Sequence, residues 1–267
     1  MHLHKKQQIR KFNFMSKNKF PSKKKHFIAP HKRPSGPLFL YGIHTVRAAL
    51  DNDLRKKIRL LTTPNALMRL EEGGQIPNVK VEQTTPKELE VILGPDAVHQ
   101  GVALEVEAIE RNNIDSIFGA KLLLVLDQIT DPHNVGAILR SACAFGADGV
   151  IATARFAPNE TGVLAKSASG ALDLIPFIEV TNLSKTLEKL KGDGVKILGF
   201  DSESTSPLTT GKDYGCVALV LGAEGKGLRQ RTREACDEML KLDMKGPIKS
   251  LNVSNAAAIA LFAITAT

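Results

Sequence analysis

The chain has 267 residues, 43% of them hydrophobic, enough for one large core or two modest ones. Trp is absent and aromatic residues make up 5%, so wide stacking platforms are not expected. No apolar run approaches the ~20 residues of a membrane helix, and the Lys-rich start is unlike a secretory signal; the expectation is a cytoplasmic protein with no membrane contact.

The net charge of +8 is unevenly placed. Residues 1–37 hold eleven of the 36 Lys and Arg and none of the 28 Asp and Glu, which leaves 25 basic against 28 acidic side chains in the rest. Such a basic stretch is expected to be a disordered tail that touches polyanions; the alternative is a solubilising extension. A mitochondrial leader is less favoured, because the stretch is Lys-rich and broken by Pro21, Pro30 and Pro34. Cys143, Cys216 and Cys236 form no CxxC pair and have no His spaced as a zinc ligand, so no metal is expected. They read as small buried hydrophobes in a reducing compartment.

After the turn-rich 34–37, order is expected from Leu38. Ile43–Leu50 reads as helix, Ile58–Leu61 as strand, Ala66–Leu70 as helix, Val79–Glu82 as strand and Pro86–Leu93 as helix. Val102–Val106 alternates apolar and acidic residues, the pattern of an exposed edge strand. Together 38–109 make a small α/β unit, and 110–120 read as a linker. From Lys121 the pattern changes. Leu122–Leu126 is a continuous apolar run, as in a parallel strand covered on both faces, and further runs fall at 149–152, 174–178, 195–200 and 217–221 between helical stretches. Residues 121–267 are therefore expected to form an α/β domain on a parallel sheet.

The glycine-rich loop Gly222-Ala223-Glu224-Gly225-Lys226-Gly227 follows a strand. It is no phosphate-binding P-loop, because Lys226 is followed by Gly227, and its glycine spacing is not that of a dinucleotide fold. Nucleophile-elbow, zinc-protease and EF-hand signatures are absent.

Three segments remain. In the first, the chain leaves a strand at Asp127, turns at Asp131-Pro132 and enters a helix near Asn134 that stops at Gly146; Gly136 and Arg140 share one helical face, which gives the guanidinium room to reach a phosphate or ribose. The second is the loop with Glu224 among glycines, which let a backbone approach a ligand closely. In the third, Ser250, Leu251, Asn252 and Ser254 open an Ala-rich helix. Taken singly, each has a plain explanation: an Asn cap with a packing glycine, a solvated acid, a Ser-capped core helix.

Taken together, Asn134-x-Gly136-x-x-x-Arg140, Leu221-Gly222-x-Glu224-Gly225 and Ser250-Leu251-Asn252-Val253-Ser254 closely resemble the motifs of the SpoU (TrmH) family of RNA ribose methyltransferases, in the SPOUT superfamily. Upstream, Leu40–Val46 and Val98–Val102 resemble the two ends of the L30e-like RNA-binding domain of its rRNA-modifying branch. The resemblance implies a deep trefoil knot formed by residues 217–260. It implies S-adenosylmethionine held at Gly222, Ala223, Gly225, Leu242, Leu251 and Ser254, and a homodimer with catalytic residues meeting near its interface. It also implies RNA as the substrate, with methyl transfer to a guanosine ribose of 23S rRNA. Alternatives are a tRNA 2'-O-methyltransferase, or an inactive RNA-binding assembly factor on the same scaffold. One departure from the pattern that the resemblance implies, in which Pro is usual after Leu242, is Asp243.

The catalytic set implied is Asn134, Arg140, Glu224, Ser250 and Asn252. A sulfonium methyl is already electrophilic, so the chemical difficulty lies in the weakly acidic ribose hydroxyl. Arg140 is expected to stabilise the developing alkoxide or to act through a neighbouring RNA phosphate, since a guanidinium stays charged. Asn134 and Asn252 are expected to position the ribose, with Glu224 holding Arg140 or Asn134.

Overall fold

The computed structural model describes residues 36–110 and 112–266; the basic stretch before residue 36 lies outside them. The chain opens with β1 (Leu38–Tyr41), α1 (Ile43–Asp51), β2 (Lys57–Thr62), α2 (Pro64–Glu72), β3 (Lys80–Gln83), α3 (Pro86–Leu93) and β4 (Val102–Val106). Helices α2 and α3 start as their sequences dictate. Thr63 and Thr85 accept hydrogen bonds from the first-turn amides, Pro follows each cap, and Glu88 completes a capping box. The strands form one mixed sheet in the order β1-β4-β2-β3, with β4 antiparallel to β1 and β2.

The expectation of an exposed edge strand at 102–106 is corrected: β4 is interior to the sheet, and four of its five residues are buried. The acid that suggested an edge, Glu105, is neutralised across the sheet by Arg59, whose Nε donates to it at 2.6 Å. Order begins at Leu38 with a strand, because Leu38–Tyr41 pairs with β4.

Beyond it, Ile114–Ile117 forms a 3-10 turn whose Ile117 is buried, so the segment expected to be a linker is docked. There follow β5 (Leu122–Asp127), α4 (Pro132–Ala144), β6 (Gly149–Thr153), α5 (Gly162–Ala168), α6 (Ala171–Leu174), β7 (Phe177–Val180), α7 (Leu183–Gly192), β8 (Lys196–Phe200), β9 (Ser206–Pro207), β10 (Val217–Gly222), α8 (Gln230–Ala235), β11 (Glu238–Lys241) and α9 (Val253–Thr265). All seven strands are parallel, in the order β7-β6-β5-β10-β8-β11-β9. Every residue of β5 and all but the last of β10 are buried, which explains their unbroken apolar runs. The run expected over 174–178 divides: Leu174 ends α6 and is exposed, and the strand begins at Phe177.

One apolar core runs under both sheets, joining Leu40, Val46 and Leu104 to Leu126, Leu139 and Ala168. Between the sheets lies a buried ion cluster. The Arg55 guanidinium is fully enclosed and pairs with Asp173 at 2.8 Å and Glu160 at 2.5 Å. Asn52 adds a bond to Asp173, and the Ile109 amide donates to Glu160. Glycines close the same seam: a methyl group on Gly162 would lie 2.6 Å from the Phe39 carbonyl, and one on Gly170 would lie 2.8 Å from Ala48. The cysteines are not the buried set expected: Cys216 is exposed, and Cys143 and Cys236 are half-buried. Among the described residues, no helix is long and apolar enough to cross a membrane.

Candidate active site

The site gathers where β5 and β10 end side by side, with Asp127 and Gly222 in register. Strand order departs from chain order at this point, and the carboxyl ends of such strands leave a crevice between diverging connections. After β5, Gln128 adopts φ 65, and Asp131 accepts a hydrogen bond from the His133 amide to cap α4. The helix therefore begins at Pro132, two residues before the expected entry, and Asn134 lies in its first turn rather than at its cap. After β10 the loop folds back sharply, and the Gly227 amide donates to the Ala223 carbonyl at 2.8 Å. A methyl group on Gly222 would lie 2.2 Å from the Gly227 carbonyl carbon, so only glycine fits there. Asn252, not a serine, caps α9.

These three chain turns meet in one hydrogen-bonded junction. The Asn252 Nδ2 donates to Asn134 Oδ1 at 2.9 Å and to Glu224 Oε1 at 3.0 Å. The same Glu224 oxygen accepts from the Val253 amide at 3.1 Å, placing a carboxylate at the N-terminus of α9, where the helix dipole favours it. Asn252 Oδ1 accepts from the Ser254 amide at 2.9 Å and the Ser254 hydroxyl at 2.5 Å. Every polar atom of the Asn252 side chain is thereby committed, which fixes its rotamer.

The expected pairing of Glu224 with Arg140 or Asn134 is corrected: Asn252 stands between Asn134 and Glu224, because the cap of α9 reaches that point first. Arg140 lies six residues along α4 from Asn134, about 9 Å at the usual helical rise. It is exposed, and among the described residues it has no ion-pair or hydrogen-bond partner. Gly136 does not make room for it. A methyl group there would lie 2.5 Å from Ser167 Cβ and 2.7 Å from the Leu164 carbonyl, so this glycine serves close packing of α4 on α5.

A cleft of about 390 Å³ opens beside the junction. Gly222, Ala223, Glu224 and Gly225 line one wall, and Leu242, Ser250 and Leu251 line another. Ser254, Asn134, Arg140 and Asn252 do not line it. Asp243 is also absent from the walls; its carboxylate pairs with Lys245 at 2.6 Å and is held below the usual carboxylate range by that contact. Asp243 therefore faces its neighbour rather than the cleft. Among the described residues, no group of three or more His, Cys, Asp or Glu could hold a metal.

Asp127 and Arg229 were not singled out as site residues. Asp127 is wholly buried and accepts from the Arg229 Nε at 2.7 Å. The signal was a lone acid closing an otherwise apolar strand.

Two family models match the chain: the SpoU rRNA Methylase family over residues 121–262, and RNA 2'-O ribose methyltransferase substrate binding over residues 39–111. The 23S rRNA (guanosine-2'-O-)-methyltransferase RlmB of Vibrio vulnificus is 38% identical over 234 residues, covering 84% of this chain and 94% of the relative. That of Ralstonia nicotianae is 39% identical, covering 84% and 93%. In fold, the chain is similar to the SpoU methyltransferase AviRb of Streptomyces viridochromogenes, solved in complex with AdoMet, at 24% identity and TM-score 0.70 over 86% of this chain and 90% of that one. A parallel sheet with this junction at its carboxyl edge, matched by the family model over its whole span, makes the chain a member of the SpoU rRNA methylase family.

Proposed function

We propose that the protein transfers the methyl group of S-adenosylmethionine to the 2'-hydroxyl of a guanosine ribose in 23S rRNA. The observation that carries this reading is the Asn134–Asn252–Glu224 junction at the mouth of the glycine-walled cleft. The Vibrio vulnificus and Ralstonia nicotianae relatives are 23S rRNA (guanosine-2'-O-)-methyltransferases. The cleft suits the cofactor: its volume lies within the ~300–1,000 Å³ usual for small-molecule sites. Its walls offer backbone at Gly222, Ala223 and Gly225 and apolar surface at Leu242 and Leu251. When bound there, the cofactor supplies an electrophilic methyl group.

The chain's own task is the nucleophile. The junction holds Asn134 in one orientation, so its amide can fix a ribose hydroxyl; such positioning can be worth several kcal/mol. Ser250, on the cleft wall, can donate to the same ribose. Arg140 stabilises the developing alkoxide, or the RNA phosphate that receives its proton.

The reading extends to the assembly. Helix α9 packs on α4 yet leaves Ile259 and Phe262 44% and 59% exposed, and this apolar face supports a homodimer that brings Arg140 to a cleft. The meeting of residues 222–227 with Leu242, Met244, Ser250, Leu251, Val253 and Ala256 around one cleft supports the trefoil knot. Residues 38–109, with their four-stranded mixed sheet, fit an L30e-like unit that grips folded RNA by shape and backbone, and the basic stretch 1–37 adds non-specific affinity. A cytoplasmic location follows from that substrate.

The test is labelled S-adenosylmethionine offered to 23S rRNA, 16S rRNA and tRNA from cells lacking the enzyme. The expected product is 2'-O-methylguanosine in 23S rRNA alone. Label in tRNA overturns the substrate, and failure to bind S-adenosylmethionine overturns the activity.

A further inference from the structure

The carboxyl edge of the parallel sheet carries a second polar cluster that the cleft does not include. Both oxygens of buried Asp127 are taken by Arg229: one accepts from its backbone amide at 3.0 Å, the other from Nε at 2.7 Å. This clamp fixes the guanidinium and leaves its two terminal nitrogens without a partner among the described residues. The Arg229 guanidinium carbon lies 5.8 Å from the centre of the Phe156 ring. Arg155, exposed just beyond β6 and without an ion-pair partner among the described residues, places its own at 5.6 Å from the same ring.

Two guanidinium groups thus converge on one ring, and among the described residues Asp127 is the one carboxylate paired with either of them. Cation–π attraction holds each against Phe156, and both arginines are exposed to solvent. That arrangement suits an anion. A guanidinium fork matches the two non-bridging oxygens of a phosphodiester, and here it is oriented before any ligand arrives.

We propose that Arg155 and the Asp127-clamped Arg229 grip a phosphodiester of the substrate RNA beside the target nucleotide. The inference rests on the RNA methyl-transfer reading given above. Its position fits. Asp127 is the register partner of Gly222, where the cleft loop begins, and Arg229 lies two residues beyond Gly227, where that loop ends. The other anion within reach of the reading is the carboxylate of S-adenosylmethionine. Arg155, Phe156 and Arg229 are all absent from the cleft walls, so the cluster is assigned to the RNA. The grip would hold the backbone flanking a splayed-out nucleotide, which single-stranded RNA recognition requires.

The full-length protein and its Arg155→Gln and Arg155→Lys variants decide the matter, with a 23S rRNA fragment as probe between about 50 and 300 mM salt. One lost phosphate contact flattens the slope of log affinity against log salt by about 0.7–0.9. R155Q is expected to show that change, with KM for RNA raised about fivefold or more and cofactor Kd unchanged. R155K, which keeps a point charge, is expected to restore most of the slope. An unaltered slope and KM in R155Q overturns the proposal, as does a fall in cofactor affinity in place of RNA affinity. R229Q is a second probe; if it fails to fold because Asp127 is left unpaired, the Arg155 variants still decide. A wild type that methylates no RNA overturns the parent reading, whereas a methylating wild type indistinguishable from R155Q overturns this inference alone.

Discussion

The Asn252 Nδ2 lies 2.9 Å from the Oδ1 of Asn134, although 118 residues separate the two in the chain. The bond ties the start of α9 to the start of α4, and Glu224 closes it from the third side. Asn252→Ala removes both the cap and the junction. We expect a stability loss of about 1 kcal/mol from the cap but a fall in kcat on the order of a hundredfold. Asn252→Asp keeps a capping acceptor but loses the amide donor and sets a second carboxylate against Glu224, so it should keep the cap, lose some stability to like-charge repulsion and lose turnover. Methyl transfer and urea unfolding on both variants check this; turnover that merely tracks stability would remove the junction from catalysis.

Among the described residues Arg140 has no ion-pair or hydrogen-bond partner, which leaves its charge available to substrate. Arg140→Ala should fold normally and lose at least about a hundredfold in kcat, as for removal of a charge-stabilising group. Near-normal single-turnover rates would end its assignment.

Gly136→Ala would press a methyl group into Ser167 and the Leu164 carbonyl. Separating α4 from α5 should cost about 1–3 kcal/mol and shift Asn134 with its helix. The check is a lower Tm together with a kcat loss that added S-adenosylmethionine does not rescue.

Arg55→Ala would strand Glu160 and Asp173 in a buried site that now lacks its cation. Breaking such a cluster costs about 3–5 kcal/mol. Denaturant unfolding should show that loss; a value near zero would mean that water reaches the cluster.

Burial pushes the Cys236 thiol up to about 11, aided by nearby Asp237. Thiolate is the reacting species, so Cys236 should resist alkylation at pH 8 and gain rate about tenfold per pH unit until it approaches that value. Mass mapping should find exposed Cys216 labelled first. Early labelling of Cys236 would contradict its enclosure.

Much of the framework was readable along the chain because its signals are local. The capping threonines and prolines of α2 and α3 and the apolar runs of β5, β8 and β10 need only neighbours in sequence to be understood. Misreadings arose where a distant partner changes a residue's meaning. Glu105 suggested an exposed strand because Arg59, its cross-sheet partner, is 46 residues away. Gly136 looked like open space above a helix because nothing local reveals that α5 packs on it.

The candidate site divides in the same way. By itself the sequence determined which residue types were present, in what order, and that a parallel α/β sheet with a glycine loop would carry them. Only the tertiary structure decided that Glu224 holds Asn252 rather than Arg140, that Asp243 turns to Lys245, and that Asp127 clamps Arg229. Hydrogen bonds and ion pairs act over about 3 Å, so their partners are set by where strands end and helices begin in space, and sequence spacing carries no record of that distance.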